Sequence, residues 1–219
     1  MAFITKLKER LLSPLPGLEA QLKMMSSGLR KNDPEMYVKA AADAKKACVL
    51  LLLFQKEGIW YTTLMERPET PYAHSKQISF PGGGLEASDT SLEAAALRET
   101  EEEFGIPREN ITLIGRLSQL YIPVSGYLVH PFVGYLDEAP TYTPDPREVA
   151  EVIEVKIEDL IDPTLRKLTK IKTSSGLTLR DVPYFDVKEK IVWGATAMML
   201  NEFSEILEAL QEQGYFTEN

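Results

Sequence analysis

The chain has 219 residues, of which 24 are basic and 33 acidic, for a formal net charge of −9. That length supports one domain with a sizeable core, and 44% hydrophobic and 26% charged residues are ordinary for a soluble globular protein. The acidic balance argues against general nucleic-acid or anionic-membrane binding, which needs a basic surface, so an anionic substrate has to be met by local cations or a metal.

Residues 1–40 read as an N-terminal helical arm, with Phe3, Ile4, Leu7 and Leu11 at helical spacing and breaks at Pro14, Pro16 and Pro34. It lacks the continuous apolar stretch of a signal peptide. Two readings stay open for it: a packing arm over a sheet edge, or a homodimer contact or substrate wall. Residues 41–219 are expected to form the main domain. Ala47 to Phe54 reads as a buried strand, too short to span a bilayer, which takes about 20 apolar residues. Its Cys48, the single cysteine, reads as a small core residue. One cysteine excludes an internal disulfide, which suits a reducing, cytoplasmic compartment. A turn at Lys56-Glu57-Gly58 returns the chain antiparallel over Ile59 to Met65. Arg67 follows, then a loop with Pro68 and Pro71, and a short strand over Gln77 to Phe80.

The stretch from Ser79 to Ile106 concentrates the chemistry. Gly82, Gly83 and Gly84 break the backbone and read as a loop that permits positive φ and close approach of backbone to a ligand. A helix follows, with Asp89 or Ser88 placed to cap its start and Gly105 its end. Glu99, Glu102 and Glu103 are spaced i, i+3, i+4, which puts them on one face about 5–6 Å apart. Leu97 and Phe104 fall on the opposite side, beside Ala96 and Thr100. Like charges at that spacing repel, so the helix gains nothing from them alone. A divalent cation reverses the sign, since Mg²⁺ is held by carboxylates together with substrate phosphates.

Further strands are expected over Ile111 to Tyr121, Tyr127 to Leu136 and Val149 to Val155, with a short helix over Ile157 to Leu160. Lys167 to Leu179 reads as a hairpin turning at Ser174-Ser175-Gly176. Tyr184 to Val187 and Ile191 to Trp193 read as another. An amphipathic helix, Ala195 to Gln211, closes the chain. His130 reads as a core or surface histidine on an alternating strand, and Trp193 as packing or a platform for adenine.

In the order Gly82–Gly84, Arg98–Glu99, Glu102–Glu103 and Gly105–Ile106, the chain resembles the Nudix hydrolases. The position that family usually gives to a glutamate falls here on Thr90, with Asp89 as the nearby acid. Phe80-Pro81-Gly82-Gly83 begins one residue further from Arg98 than is general, a habit of the coenzyme A pyrophosphatase branch. Arg67, His74, Gln77 and the run Ile191 to Thr196 also fit that branch. Tyr72 and Lys76 depart from it, standing where an arginine and a glycine are usual.

The resemblance implies a mixed α/β fold, a mixed sheet sandwiched between helices. It implies a metal-dependent pyrophosphohydrolase acting on a small nucleoside diphosphate derivative, with Mg²⁺ or Mn²⁺ on Glu99 and Glu103. Glu102 would complete the metal shell or take the proton, and Arg98 would orient the glutamates. Glu148 or Glu151 would supply a distal acid, and Arg67, His74, Lys76 and Gly82–Gly84 would contact substrate. Coenzyme A or acyl-coenzyme A is the expected substrate, with Arg67 and Lys76 the candidate cations for its 3′-phosphate. The alternatives are an ADP-ribose or dinucleotide pyrophosphatase, and a non-catalytic module that senses a nucleotide.

Overall fold

The computed structural model describes residues 2–27, 40–69, 76–173 and 176–214. The expected breaks at Pro34 and Pro71, the departure at Tyr72, the candidate His74 and two residues of the turn at 174–176 lie outside that description.

The sheet is built around β1 (Lys45–Lys56), whose KKACVLLLLFQK sequence has no polar face. A strand hydrophobic on both sides has to be covered on both sides. Cys48, Leu50, Leu52 and Phe54 point into one core, and Leu51 and Leu53 into the other. The first core is closed by α3 (Leu92–Phe104) through Ala95, Ala96 and Phe104. The second is closed by α1 (Ala2–Leu11) and the C-terminal α4 (Gly194–Glu212). In that layer Phe3, Ile4, Leu7 and Leu11 meet Phe203, Ile206, Leu207 and Leu210. The short α2 (Gly17–Leu22) is fixed to α4 by buried Glu202, which accepts from the Gly17 amide (3.2 Å) and the Gln21 side chain (2.8 Å).

β1 pairs antiparallel with β2 (Ile59–Glu66) and with β4 (Gly82–Gly84), and parallel with β7 (Tyr127–Tyr135). β3 (Ile78–Ser79) and β8 (Glu151–Lys156) add to β2. β5 (Thr112–Arg116) and β6 (Leu120–Ile122) add to β7. The fold is therefore the expected mixed sheet between helical layers. A second sheet joins β9 (Arg166–Lys172), β10 (Thr178–Val187) and β11 (Lys190–Trp193).

Local details differ from the sequence reading. The glycine run is not a loop but strand β4, paired through Ala47, Cys48 and Val49. The segment expected as one strand over 111–121 is two, β5 and β6. The two expected hairpins share β10 and form one meander. Neither Ser88 nor Asp89 caps α3. Ser91 does so, standing immediately before Leu92 with its hydroxyl accepting from the Ala94 amide at 3.1 Å, while the Asp89 carboxylate accepts from Arg98 and from the Glu86 amide. Leu97 is only half-buried. Among the described residues no helix is long and apolar enough to cross a membrane.

His130 lies in the core on β7, directly across from Cys48. Among the described residues neither ring nitrogen has a hydrogen-bond partner. Burial, then the positive charges of Lys46 and Arg116, lower its pKa below the ordinary 6.5, with Glu93 opposing. The unfolded chain then binds more protons than the folded one just below pH 6.5. The His130 contribution is complete above that pH and is lost as pH falls towards the lower folded value. Urea denaturation at pH 7.5 and pH 5 should show a smaller loss on acidification for His130→Leu than for the wild-type chain. An identical loss would show that His130 is not responsible.

Candidate active site

The site forms where α3, β4 and the segment before β8 converge. Gly82 adopts φ +147°, and a Cβ there would stand 2.2 Å from the Cys48 carbonyl oxygen, so the pairing of β4 with β1 admits only glycine. Its amide donates to Glu103 Oε2 at 2.7 Å. A Cβ on Gly83 would lie 2.5 Å from Glu99 Oε1, so the carboxyl of Glu99 occupies the space a side chain would take. Two consecutive glycines thus let two glutamates of one helix reach the backbone of the neighbouring strand.

Glu103 is 1% exposed. Its second oxygen stands 3.4 Å from Arg67 Nη2, which also lies 3.3 Å from the Gly82 carbonyl oxygen. Burial pushes the Glu103 carboxyl up to about 8, against the pull of Arg67 and the Gly82 amide. The charges of Glu99 and Glu148 push the same way. The Glu99 carboxyl is raised too, mainly by burial, and again Glu148 contributes.

Arg98 gathers the remaining acids. Its guanidinium donates to both Asp89 oxygens (2.9 and 3.0 Å), to Glu99 Oε1 (3.0 Å), to Glu102 Oε2 (2.9 Å) and to the Gly84 carbonyl (3.3 Å). That paired arginine holds Asp89 below the usual carboxylate range, with the Glu86 amide assisting. Asp89 therefore supplies the acid beside Arg98 where Thr90 cannot. Glu102 keeps about half of its side chain in solvent.

Glu148 reaches the site through a latch. The Thr143 amide donates to the Phe104 carbonyl (2.8 Å) and the Asp145 amide to the Glu103 carbonyl (3.1 Å), tying the segment to the end of α3. The Ala150 amide donates to the Glu66 carbonyl (2.8 Å), tying it to β2 beside Arg67. Glu148, Arg147, Arg67, Gly83, Gly84 and Tyr127 line a cavity of about 530 Å³. Arg147 and Tyr127 carried no signal in the sequence, because neither belongs to a motif.

Other candidates fall elsewhere. Glu151 forms an ion pair with Lys190 (2.7 Å), which also binds Glu66, along the β2–β8 register. Lys76 is exposed and pairs with Glu69 at 2.8 Å. A separate cleft of about 600 Å³ beside α4 is lined by Lys23, Arg166 and Lys167, each already paired with an acid, and contains none of the candidate residues.

Among the described residues no three His, Cys, Asp or Glu side chains stand as a ready metal-ligand cluster. Here the glutamates face arginines instead. The donor set nevertheless suits a divalent cation. Glu99 and Glu103 are oxygen donors whose charged forms are disfavoured by burial and by neighbouring carboxylates, and a bound cation would offset both penalties.

A Nudix domain model matches residues 44–175. The chain is 32% identical over 142 residues to an uncharacterised Nudix hydrolase, NudL, of Photorhabdus laumondii, a match covering 65% of this chain and 74% of that protein. It is 42% identical over 131 residues to the uncharacterised NudL of Escherichia coli O7:K1, covering 60% and 67%. Among solved structures it is similar to the Nudix hydrolase RenU of M. smegmatis, with TM-score 0.53 and 18% identity over 76% of this chain and 88% of that one. An Ap4A hydrolase of C. elegans gives TM-score 0.51 and 18% identity over 75% and 98%. At that identity the two structures show the fold alone. The chain belongs to the Nudix family and is a hydrolase of phosphoric anhydride bonds.

The two glycines should fail differently. Gly82→Ala drives a Cβ into backbone and should cost at least about 2–3 kcal/mol of stability, measured by urea denaturation. Gly83→Ala meets only a side-chain end, so it should fold with little loss while displacing Glu99 and lowering kcat by about tenfold or more. Equal loss of stability in both variants would show that Gly83 serves packing instead.

Proposed function

We propose that the chain cleaves the diphosphate of coenzyme A or acyl-coenzyme A, giving 3′,5′-ADP and (acyl-)4′-phosphopantetheine. One observation carries the substrate reading. The two sequence runs that resemble the coenzyme A branch are separated by more than a hundred positions, yet they meet in the fold beside the strand that leads to the glycines. The Thr196 hydroxyl, from the run Ile191 to Thr196, donates to the Ile78 carbonyl at 3.0 Å, in the strand that leads to Phe80 and the glycines. Against an overall charge of −9, the cations lining the cavity are Arg67, which faces Glu103, and Arg147, which is paired with Asp145. Arg67 presents a planar fork suited to two phosphate oxygens at once.

Mg²⁺ or Mn²⁺ would be held by Glu99 and Glu103, with Glu102 completing the shell, and when bound it neutralises the diphosphate and lowers the pKa of water. The chain's own groups do the rest. Arg98 fixes Glu99 and Glu102 and keeps their carboxylates aimed together. Arg67 holds diphosphate beside Glu103. Glu148 lines the cavity and takes the proton from the attacking water. The water oxygen bonds to one phosphorus, the bond from that phosphorus to the bridging oxygen breaks, and two phosphate monoesters leave. Glu151, engaged with Lys190, takes no part. The single buried thiol, Cys48, fits a reducing compartment such as the cytoplasm.

Incubation with coenzyme A, acyl-coenzyme A, ADP-ribose and NADH, with Mg²⁺ or Mn²⁺ and products weighed by mass spectrometry, tests the substrate. Release of 3′,5′-ADP supports it. Turnover of ADP-ribose alone would replace it. In the active protein Glu103→Gln should lower kcat by roughly 10²–10³, equivalent to about 3–4 kcal/mol. Near-normal turnover would remove Glu103 from the metal site. Arg67 stands against Glu103 rather than at the cavity's far wall, so Arg67→Ala should slow coenzyme A and dephospho-coenzyme A alike. A selective loss on coenzyme A would move Arg67 to the 3′-phosphate.

A further inference from the structure

We infer that Lys190 is a positioning residue for the reaction: its ammonium joins the facing carboxylates of Glu66 and Glu151 and so fixes the strand ends that bring Arg67 and Glu148 to the cavity; this rests on the pyrophosphohydrolase reading above. β2 and β8 pair with Glu66 directly opposite Glu151. Side chains directly opposite lie on one face of a sheet, and like charges so placed repel. Lys190 Nζ pairs with Glu66 Oε2 and, at 2.7 Å, with Glu151 Oε2. Among the described residues no other cation is ion-paired with either acid. Glu151 first and Glu66 next hold the ammonium above its ordinary pKa, so the clamp stays charged at neutral pH.

Each acid adjoins a segment that builds the site. Glu66 immediately precedes Arg67, whose guanidinium meets Glu103 on α3. Glu151 opens β8, just after the turn that carries Glu148. The two segments join at one backbone bond, from the Ala150 amide to the Glu66 carbonyl at 2.8 Å. Repulsion between the facing carboxylates acts to open that bond, and with it the spacing of Arg67 and Glu148. Lys190 cancels the repulsion at that point. Neither Lys190 nor Glu151 lines the cavity, so neither touches the reacting groups. The lysine is delivered by a tight turn. Lys188 and Glu189, between β10 and β11, adopt φ +49° and +65°, where glycine or asparagine is preferred. Such a turn persists where surrounding contacts determine it. Beyond the far end of β11, the Thr196 hydroxyl donates to the Ile78 carbonyl at 3.0 Å. β11 is thus bound to the main sheet at both ends, by charge at Lys190 and by a hydroxyl past Trp193.

Methylenediphosphonate, an uncleavable diphosphate analogue, is titrated calorimetrically into the full chain with Mg²⁺, and coenzyme A turnover and urea denaturation are measured on the same variants. Lys190→Met should weaken the diphosphonate and lower kcat, each by about tenfold, within the range for a group misplaced by less than an ångström. In an Arg67→Ala background the same substitution should change diphosphonate binding by less than about twofold, because the displaced contact is already gone. Lys190→Arg keeps the charge, and the triple variant Lys190→Met, Glu66→Gln, Glu151→Gln has no charges left to separate. Both should bind within about threefold of the wild-type chain. Should Lys190→Met not fold, the triple variant decides: restored binding supports the clamp, and a folded triple variant that binds about tenfold more weakly overturns it. Loss of stability alone, with the affinity and kcat of the folded chain intact, overturns it too, as does an equal loss of affinity with and without Arg67. Lys190-dependent diphosphonate binding without turnover of any diphosphate would sink the hydrolytic reading and leave the clamp standing. Coenzyme A turnover indifferent to Lys190 would do the reverse.

Discussion

The buried carboxyl of Glu103 is the constraint on which the site depends. A carboxyl with 1% of its surface exposed has lost its water and must be met by fixed donors. The Gly82 amide is one, supplied by the strand β4 that pairs with β1 over Ala47 to Val49. Arg67 is the other, supplied from the end of β2. These two partners only partly offset burial, since the pKa still rises to about 8. The structure thus holds a group whose charged form remains costly. Such a group is primed for a cation, because binding one converts an electrostatic penalty into an attraction.

Arg98 solves the complementary problem on the outer side of the same helix. Glu99 and Glu102 would repel each other across one turn of α3. A single guanidinium with five donors in a fixed plane can serve Asp89, Glu99, Glu102 and a carbonyl together, which the three donors of a lysine on a flexible stem would do less rigidly. The helix can therefore be acidic along one face and still pack its other face through Ala95, Ala96 and Phe104. The site is an arrangement of opposed charges held on rigid elements, with β1 as the common support.

Much of this was legible in the sequence where local rules dominate. The two-faced hydrophobic run of β1, the closing amphipathic helix and the glutamate spacing of α3 each follow from periodicity, and the structure has all three. What escaped was set by tertiary pairing. Three glycines signal a break in any local reading, yet Gly82–Gly84 form a strand because β1 offers them an unpaired edge. Asp89 looked like a helix cap because its type and position allow it, but the helix is capped two residues later than that, at Ser91, and the Asp89 carboxylate is shared instead between Arg98 and the Glu86 amide. The depth of Glu103 was invisible, since i, i+4 spacing fixes a face without fixing what covers it.

The distal acid shows the same limit most clearly. Glu148 and Glu151 are three residues apart and of one type, so spacing could not separate them. Two contacts far away in sequence do. The amides of Thr143 and Asp145 bind the last carbonyls of α3, which draws the following turn under the glutamates. The Ala150 amide then enters the edge of β2, and from there the strand β8 carries Glu151 along Glu66 towards Lys190. One carboxylate is delivered to the cavity and the other to a structural ion pair because the chain changes from latch to strand between them. A helix end that needs its carbonyls satisfied thereby brings Glu148 to the cavity, and the capping of α3 and the placing of that carboxylate become one requirement.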